Sequence, residues 1–451
     1  MSNSDTETLI KFRAELHQCL TRWGNALFEL CDAVLCSPAP VGSVPSLSME
    51  PVFRRGHGTL YKALALGTID TDRLRRLLIT NLPHDTPQVF AVDASTWDCC
   101  DAETSPERGF YYSASKHSAG QPIVAGWNYQ WINQLSFTPD SWTAPVDAIR
   151  ITPTENATIA TIGQISRLVS LLPVTAIAPI FVLDAGYDPI AISHDLAATP
   201  AQILCRIRDD RVFHAPAPER PNRPPTTGGR PPRHGPRFKC GDPTTWTEPA
   251  DQLTTTDPRY GTITVTAWNN LHPRLLCRGH WTNHDIPPIV NGTIIRVDVE
   301  HLPKPSARTK KTLWLWWSGP DRPDLDLCWR AYLRRFDIEH TFRFAKSTLG
   351  WTTPSVCTPQ QADRWTWLTI AALTQLRLAK PVVNNNRLPW EHPRQQHQLT
   401  PARVRRGFHQ LGTIIGTPAN PPQPSRAGPG RPKGTRKPPR PRHPAIKKTA
   451  A

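Results

Sequence analysis

Apolar residues at Leu9, Phe12, Leu16, Leu20, Trp23, Leu27 and Leu30 recur at intervals of three and four, which predicts a helix over residues 6–35. After a loop holding Pro38, Pro40 and Pro45, helical stretches follow through Leu60, Ala63, Leu64 and Leu66 and again over Thr71 to Leu78. The pattern then changes. Gln88 to Asp93 is a short apolar run closed by a carboxylate, and Gly109 to Ser115 is aromatic and β-prone. In Pro122 to Leu135, Trp127, Tyr129 and Trp131 alternate with Asn128 and Gln130, as in a half-buried strand, with 116–120 as the hairpin turn. Asn156 to Leu172 returns to helical spacing, and Ala178 to Leu183 is a second apolar strand running into Asp184. Ile203 to Arg211 is a further strand with Arg206 and Arg208 on its outer face.

Residues 214–243 are dense in Pro, Gly and Arg, a composition that predicts an irregular excursion. From Tyr260 to Trp317 the chain turns strand-like again. Cys328 to Trp351 then has no Pro and no Gly before Gly350, and reads as one helix that closes at that glycine. Gln360 to Ala379 is an amphipathic helix suited to pack on a sheet. These segments define a helical N-terminal region over 1–85 and the two halves of an α/β core over 86–205 and 323–382. A β-rich insertion over 206–322 separates the halves, and a basic, largely disordered tail over 383–451 follows them.

Charge sharpens this division. The chain has 451 residues and a formal charge of +16, which points to a polyanionic partner. From Pro401 onward there are 12 Lys and Arg and no Asp or Glu, whereas the preceding part holds 41 basic residues against 37 acidic ones. The body is therefore close to neutral and the tail carries the excess. The ten Cys form no C-x2-C pair and no His cluster has zinc-like spacing. With no apolar run of membrane-spanning length and no signal segment, the reading is a chain with reduced thiols in a bacterial cytoplasm.

At about 100° per residue, Tyr332, Arg335, Glu339 and Lys346 share one stripe of a continuous helix, with Asp337 nearly opposite. Their spacing, Y-x2-R-x3-E-x6-K, resembles the signature around the catalytic Glu of the YREK group of DDE transposases from bacterial insertion sequences. Asp93 followed by Ser95 and Thr96, and the stretch D-A-G-Y-D from Asp184 to Asp188, are similar to that group's two Asp motifs. Asp188 is placed to cap the next helix, which makes Asp184 the better ligand candidate.

This resemblance implies an α/β fold with an RNase H-like mixed sheet flanked by helices and interrupted by a β insertion. It implies Asp93, Asp184 and Glu339 as catalytic ligands of two Mg²⁺ ions, with Mn²⁺ as a substitute. Arg335 and Lys346 would hold phosphates, and Tyr332 would bond a phosphate or stack near the terminal base. Trp314 matches a strand tryptophan that stacks on a DNA base there, although a strand tryptophan is more often core. Arg206 and Arg208 are further candidates for phosphate contact. Gly430 to Gly434, which includes Arg431, resembles an AT-hook core, and nonspecific phosphate attraction explains the same residues. The implied partners are double-stranded DNA, both terminal inverted repeats and target, and a second copy of the chain on that DNA; no membrane is involved. Two other readings stay open: an RNase H-like nuclease without strand transfer, and a transposase-derived DNA-binding protein that no longer cuts. The N-terminal helices suit either DNA binding or a cap on the core.

Overall fold

The structure is a computed structural model that describes residues 3–84, 87–113, 122–218, 232–303, 310–423, 432, 434 and 438–447. In chain order it opens with α1 (Asn3–Cys19), β1 (Leu20–Arg22), α2 (Gly24–Cys36), α3 (Gly58–Leu66), β2 (Thr68–Ile69) and α4 (Thr71–Thr80). There follow β3 (Val89–Asp98), β4 (Gly109–Tyr112), β5 (Ile123–Leu135), β6 (Thr143–Ile151), α5 (Ala157–Leu171), β7 (Ile180–Leu183), α6 (Pro189–Asp195) and β8 (Gln202–Ile207). Next come β9 (Val212–His214), β10 (Arg237–Lys239), β11 (Asp251–Asp257), β12 (Gly261–Leu271), β13 (Gly292–Val299) and β14 (Thr312–Ser318). The last elements are α7 (Leu325–Arg334), α8 (Asp337–Ser347), α9 (Pro359–Ala379), α10 (Pro401–Phe408) and α11 (Gly412–Ile415).

A mixed sheet flanked by helices forms the frame, in keeping with the expected fold class. The chain divides into two compact units, the first comprising 1–86, 93–155 and 337–450 and the second 87–92 and 156–336. Strand β3 belongs to both: its residues to Val92 lie in the second unit and those from Asp93 in the first.

In the second unit the sheet order is β11-β12-β13-β14-β8-β7-β3. Val89, Phe90 and Ala91 pair in parallel with Ile180, Phe181 and Val182. Val89 to Val92 and Phe181 to Leu183 are fully buried, as a strand covered on both faces requires. The β-rich insertion is not a separate body. Its last strand, β14, pairs antiparallel with core strand β8, with Trp314 opposite Ile207 and Trp316 opposite Cys205. The Pro/Arg-rich stretch is partly ordered as well, since β9 and β10 form a hairpin; its residues 219–231 lie outside the described residues.

In the first unit β5 neighbours β3, and β4 and β6 take successive lengths of β5, at Ile123–Gly126 and Asn128–Leu135. Strand β6 is absent from the sequence reading because Pro145 sits within it. The proline falls at a register shift, where Ile132 faces Asp147 and Asn133 faces Pro145, a bulge that tolerates the missing N–H. β5 is buried on both faces rather than one, since Gln130 and Asn133 are as inaccessible as Trp131. The expected hairpin turn at 116–120 lies outside the described residues.

Two predicted helices are each divided. The first breaks at β1, and Trp23 adopts a left-handed backbone with φ 57° before α2 begins. The second breaks at Arg335–Phe336. There the Arg335 N–H is shared between the carbonyls of Ala331 and Tyr332 and the Phe336 N–H returns to Leu333, so the last turn tightens and stops. Gly350 does end the segment: it has φ 69°, and beyond it the Trp351 N–H returns to the Ala345 carbonyl. Within the tail, Leu399 to Leu411 has the makings of a short basic helix with Arg403, Arg405 and Arg406, and α10 forms there. Leu399, Val404 and Phe408 are buried, and buried Arg405 donates to the carbonyls of Val34 and Ala39. Among the described residues, no helix is long and apolar enough to cross a membrane.

Candidate active site

The candidate residues fall into two groups, one in each unit. In the second unit, β7 delivers Asp184 at its carboxyl end, where the chain turns through Ala185 and Gly186 and the Tyr187 N–H donates to the Asp184 carbonyl. Asp188 accepts from the N–H groups of Ile190 and Ala191 and so caps α6, as expected. Helix α7 is capped in the same way by Asp324 and lies against β8, β11 and β12.

From this helix the Tyr332 hydroxyl donates to Asp184 Oδ1 at 3.3 Å. Arg335 Nη2 lies 3.7 Å from Asp184 Oδ2, a loose ion pair in which the Arg335 side chain is 9% exposed and that of Asp184 41%. Arg206, on the outer face of β8, hydrogen-bonds the Tyr332 hydroxyl. Burial, and after it the charge of Asp184, pushes the Tyr332 phenol up to about 12, so it stays protonated and acts as a donor. The carboxylate is thus oriented by a phenol on one oxygen and a guanidinium on the other, yet remains open to solvent.

The second group is built on β3 and α8 in the first unit. Asp93 is half-buried within β3 rather than at its end, and its Oδ1 accepts from the Ala94 N–H at 2.8 Å. It comes two residues after Ala91, which pairs with Val182 of β7. Glu339 stands in the first turn of α8, where the helix dipole favours a negative charge. Lys346 is seven residues later, close to two helical turns, and shares its face. Lys346 Nζ donates to the Thr96 carbonyl at 2.8 Å and lies 5.7 Å from the Trp351 ring centre. Burial lowers its pKa while Asp98 opposes the shift.

Packing holds this helix. The rings of Phe342 and Trp351 stack at 6.0 Å, and Trp131 meets them edge-on at 5.5 and 4.8 Å. Tyr129 and Trp97 continue the cluster into β5 and β3. The Thr341 and Thr143 hydroxyls meet at 2.7 Å between α8 and β6.

The other expected residues separate. Arg206 joins Asp184 through Tyr332, whereas Arg208 lies exposed just past β8. Trp314 is 4% exposed, packed against Trp246, Trp268 and Phe238 with the Arg296 guanidinium 5.8 Å from its ring. In this structure it is core material, and the expected stacking face is covered. Arg431 lies outside the described residues. The sequence reading did not single out Trp351 or Asp98, which support Lys346; the only cue was that Trp351 directly follows the closing glycine.

Asp184, Asp93 and Glu339 are hard oxygen donors of the kind divalent cations such as Mg²⁺ take, and the open Asp184 carboxylate suits such a ligand. Over residues 15–274 the chain matches the family described as DDE superfamily endonuclease, and it belongs to that family, whose members use divalent metal ions. Asp93 and Asp184 lie inside the matched stretch and Glu339 beyond it. No curated protein matches the chain. Among solved structures it is similar to a piggyBac transposase, in a cryo-EM synaptic complex with hairpin DNA, at 11% identity and a TM-score of 0.43. That similarity covers 92% of this chain and 82% of the transposase chain.

Proposed function

We propose that the protein is a DDE transposase of the YREK group, acting on the terminal inverted repeats of a bacterial insertion sequence as a dimer assembled on DNA. The observation that carries this reading is the register of two parallel strands. Ala91 pairs with Val182, and Asp93 and Asp184 each follow two residues later, with the tyrosine and arginine of the signature already on Asp184. Glu339 completes the acid set. Lys346, on the same face of α8 as Glu339, binds the Thr96 carbonyl, three residues beyond Asp93 on β3.

In this reading Asp93, Asp184 and Glu339 would hold two Mg²⁺ ions. When bound, the ions would stabilise charge on the attacking and leaving oxygens of a phosphodiester. Arg335 positions a phosphate beside Asp184, and Tyr332 keeps that carboxylate oriented by donating to one of its oxygens. Lys346 supplies a second cation from α8. Water serves as the first nucleophile and frees a 3′-hydroxyl at the element's end; that hydroxyl then attacks target DNA.

The test is incubation with DNA carrying the flanking inverted repeats, with Mg²⁺ or with EDTA, beside an Asp184→Ala control. Metal-dependent nicking at the repeat ends and joining to a target plasmid, both lost in the control, are expected. Cutting that ignores the repeats would replace this reading with a plain nuclease. Binding without cutting would replace it with a DNA-binding derivative.

A further inference from the structure

Spacing along the chain shows no zinc motif, but the second unit brings His194 and Asp195, at the end of α6, against His280, 85 residues beyond that Asp. His194 Nδ1 lies 2.8 Å from Asp195 Oδ1, and His280 Nε2 lies 3.3 Å from the same carboxylate. One ligand atom from each of the three residues can be chosen with all of them within 4.8 Å of one another. Donors around a tetrahedral ion with bonds of 2.0–2.1 Å are separated by about 3.4 Å, so the spacing needs little adjustment. We propose that His194, Asp195 and His280 form a Zn²⁺ site that fastens the loop between β12 and β13 to the helix following Asp184.

The surroundings are built for fixed imidazoles. Trp281, 6% exposed, packs edge-on against His194 at 5.1 Å and His280 at 4.8 Å. The His284 ring lies 5.7 Å from that of Trp281 and 6.0 Å from that of His194, outside the three-residue cluster. Gly279, with φ 57°, permits the tight turn that presents His280. Helix α6 is fixed by its Asp188 cap and by Ser193, whose hydroxyl accepts from Trp316 Nε1 at 3.0 Å. Two imidazole nitrogens and one carboxylate oxygen favour Zn²⁺, Co²⁺ or Ni²⁺ over Mg²⁺, which takes oxygen donors. The site is therefore chemically distinct from the all-carboxylate set of Asp93, Asp184 and Glu339.

The test uses the full chain, stripped with EDTA and titrated with Zn²⁺ against a chromophoric chelator, in an Asp184→Asn background that weakens the carboxylate site. One Zn²⁺ per chain is expected, unaffected by excess Mg²⁺ and raising the melting temperature. His280→Gln and the near-isosteric Asp195→Asn are each expected to lose the ion and the thermal shift while melting like the metal-free parent. His234→Gln, at the separate histidine cluster with His272, is expected to retain both. Co²⁺ is expected to give imidazole-type d–d bands in the parent and in His234→Gln, and none in His280→Gln or Asp195→Asn. Failure of the parent to bind Zn²⁺, or full retention in Asp195→Asn and His280→Gln, overturns the proposal. No readout depends on DNA cleavage, so the outcome is separate from that of the transposase reading.

Discussion

The Asp184 carboxylate and helix α8 are positioned by opposite means. Around Asp184 the work is polar: a phenol and a guanidinium from α7 aim an otherwise exposed carboxylate. Along α8, which carries Glu339, it is steric, because the helix is set by Phe342, Trp131 and Trp351 packed ring against ring. A carboxylate held by hydrogen bonds can be altered without disturbing the core, whereas a helix held by packing moves when the core does. Damage to the two regions is therefore expected to separate loss of activity from loss of stability.

The largest effect follows from removing the Asp184 charge. Asp184→Asn keeps the shape and an acceptor for Tyr332 but removes the anionic ligand. End cleavage is expected to fall by about 10³-fold or more, about 4 kcal/mol of transition-state stabilisation. Unfolding in urea is expected to shift by no more than about 0.5 kcal/mol, as for other accessible positions. A large loss of stability would show that the carboxylate is structural.

Trp351→Ala is the converse. The ring is fully buried, and its indole N–H donates to Thr366 Oγ1 at 2.9 Å. Truncation is expected to cost about 3–5 kcal/mol of folding stability, seen as a lower urea midpoint, with activity falling largely through the folded fraction. Full cleavage loss in a protein of unchanged stability would contradict the packing account of α8.

Between these lies Arg335→Lys. A lysine retains the charge but not the planar fork, so cleavage is expected to drop by roughly ten- to a hundredfold, about 1.5–3 kcal/mol. Kinetics with saturating DNA measure it, and wild-type rates would exclude a directional role for the guanidinium.

How far the sequence was legible follows the same division. Local signals sufficed for the apolar strands ahead of Asp93 and Asp184, for the Asp188 cap and for the turn at Gly350. Signals that depend on distant partners failed. The stripe joining Tyr332 to Lys346 assumed one helix, but nothing local marks the break at Arg335. It arises because α7 packs on β8 and β12 while α8 packs on an aromatic cluster drawn from β3, β5 and the segment after Gly350. The signature is consequently two pairs, Tyr332 with Arg335 and Glu339 with Lys346. Strand β6 was hidden by Pro145, whose bulge needs its partner strand to be seen. Trp314 shows a related limit: a strand shows which residues share a face, not which face is covered, and core, the commoner role of a strand tryptophan, is where this ring lies.

The smallest expected effect sharpens the polar side of the comparison. Tyr332→Phe removes one hydrogen bond to Asp184 while keeping the ring, so cleavage is expected to fall by up to about tenfold, about 0.5–1.5 kcal/mol. Its second consequence is in pH. The phenol titrates near 10 in the unfolded chain and about 12 in the folded one, so the folded state binds the proton more tightly. Stability contributed by this group is complete below the unfolded value and is lost as pH rises towards the folded one. The phenylalanine variant lacks that dependence. Tyr129 and Tyr111, also raised by burial, lose stability in the alkaline range in both proteins, so the informative quantity is the difference between their urea midpoints. The variant is expected to lose less stability than wild type between pH 10 and pH 12. Identical slopes in that range would show that the Tyr332 hydroxyl is not held in a buried contact with Asp184, and the polar account of that carboxylate would then rest on Arg335 alone.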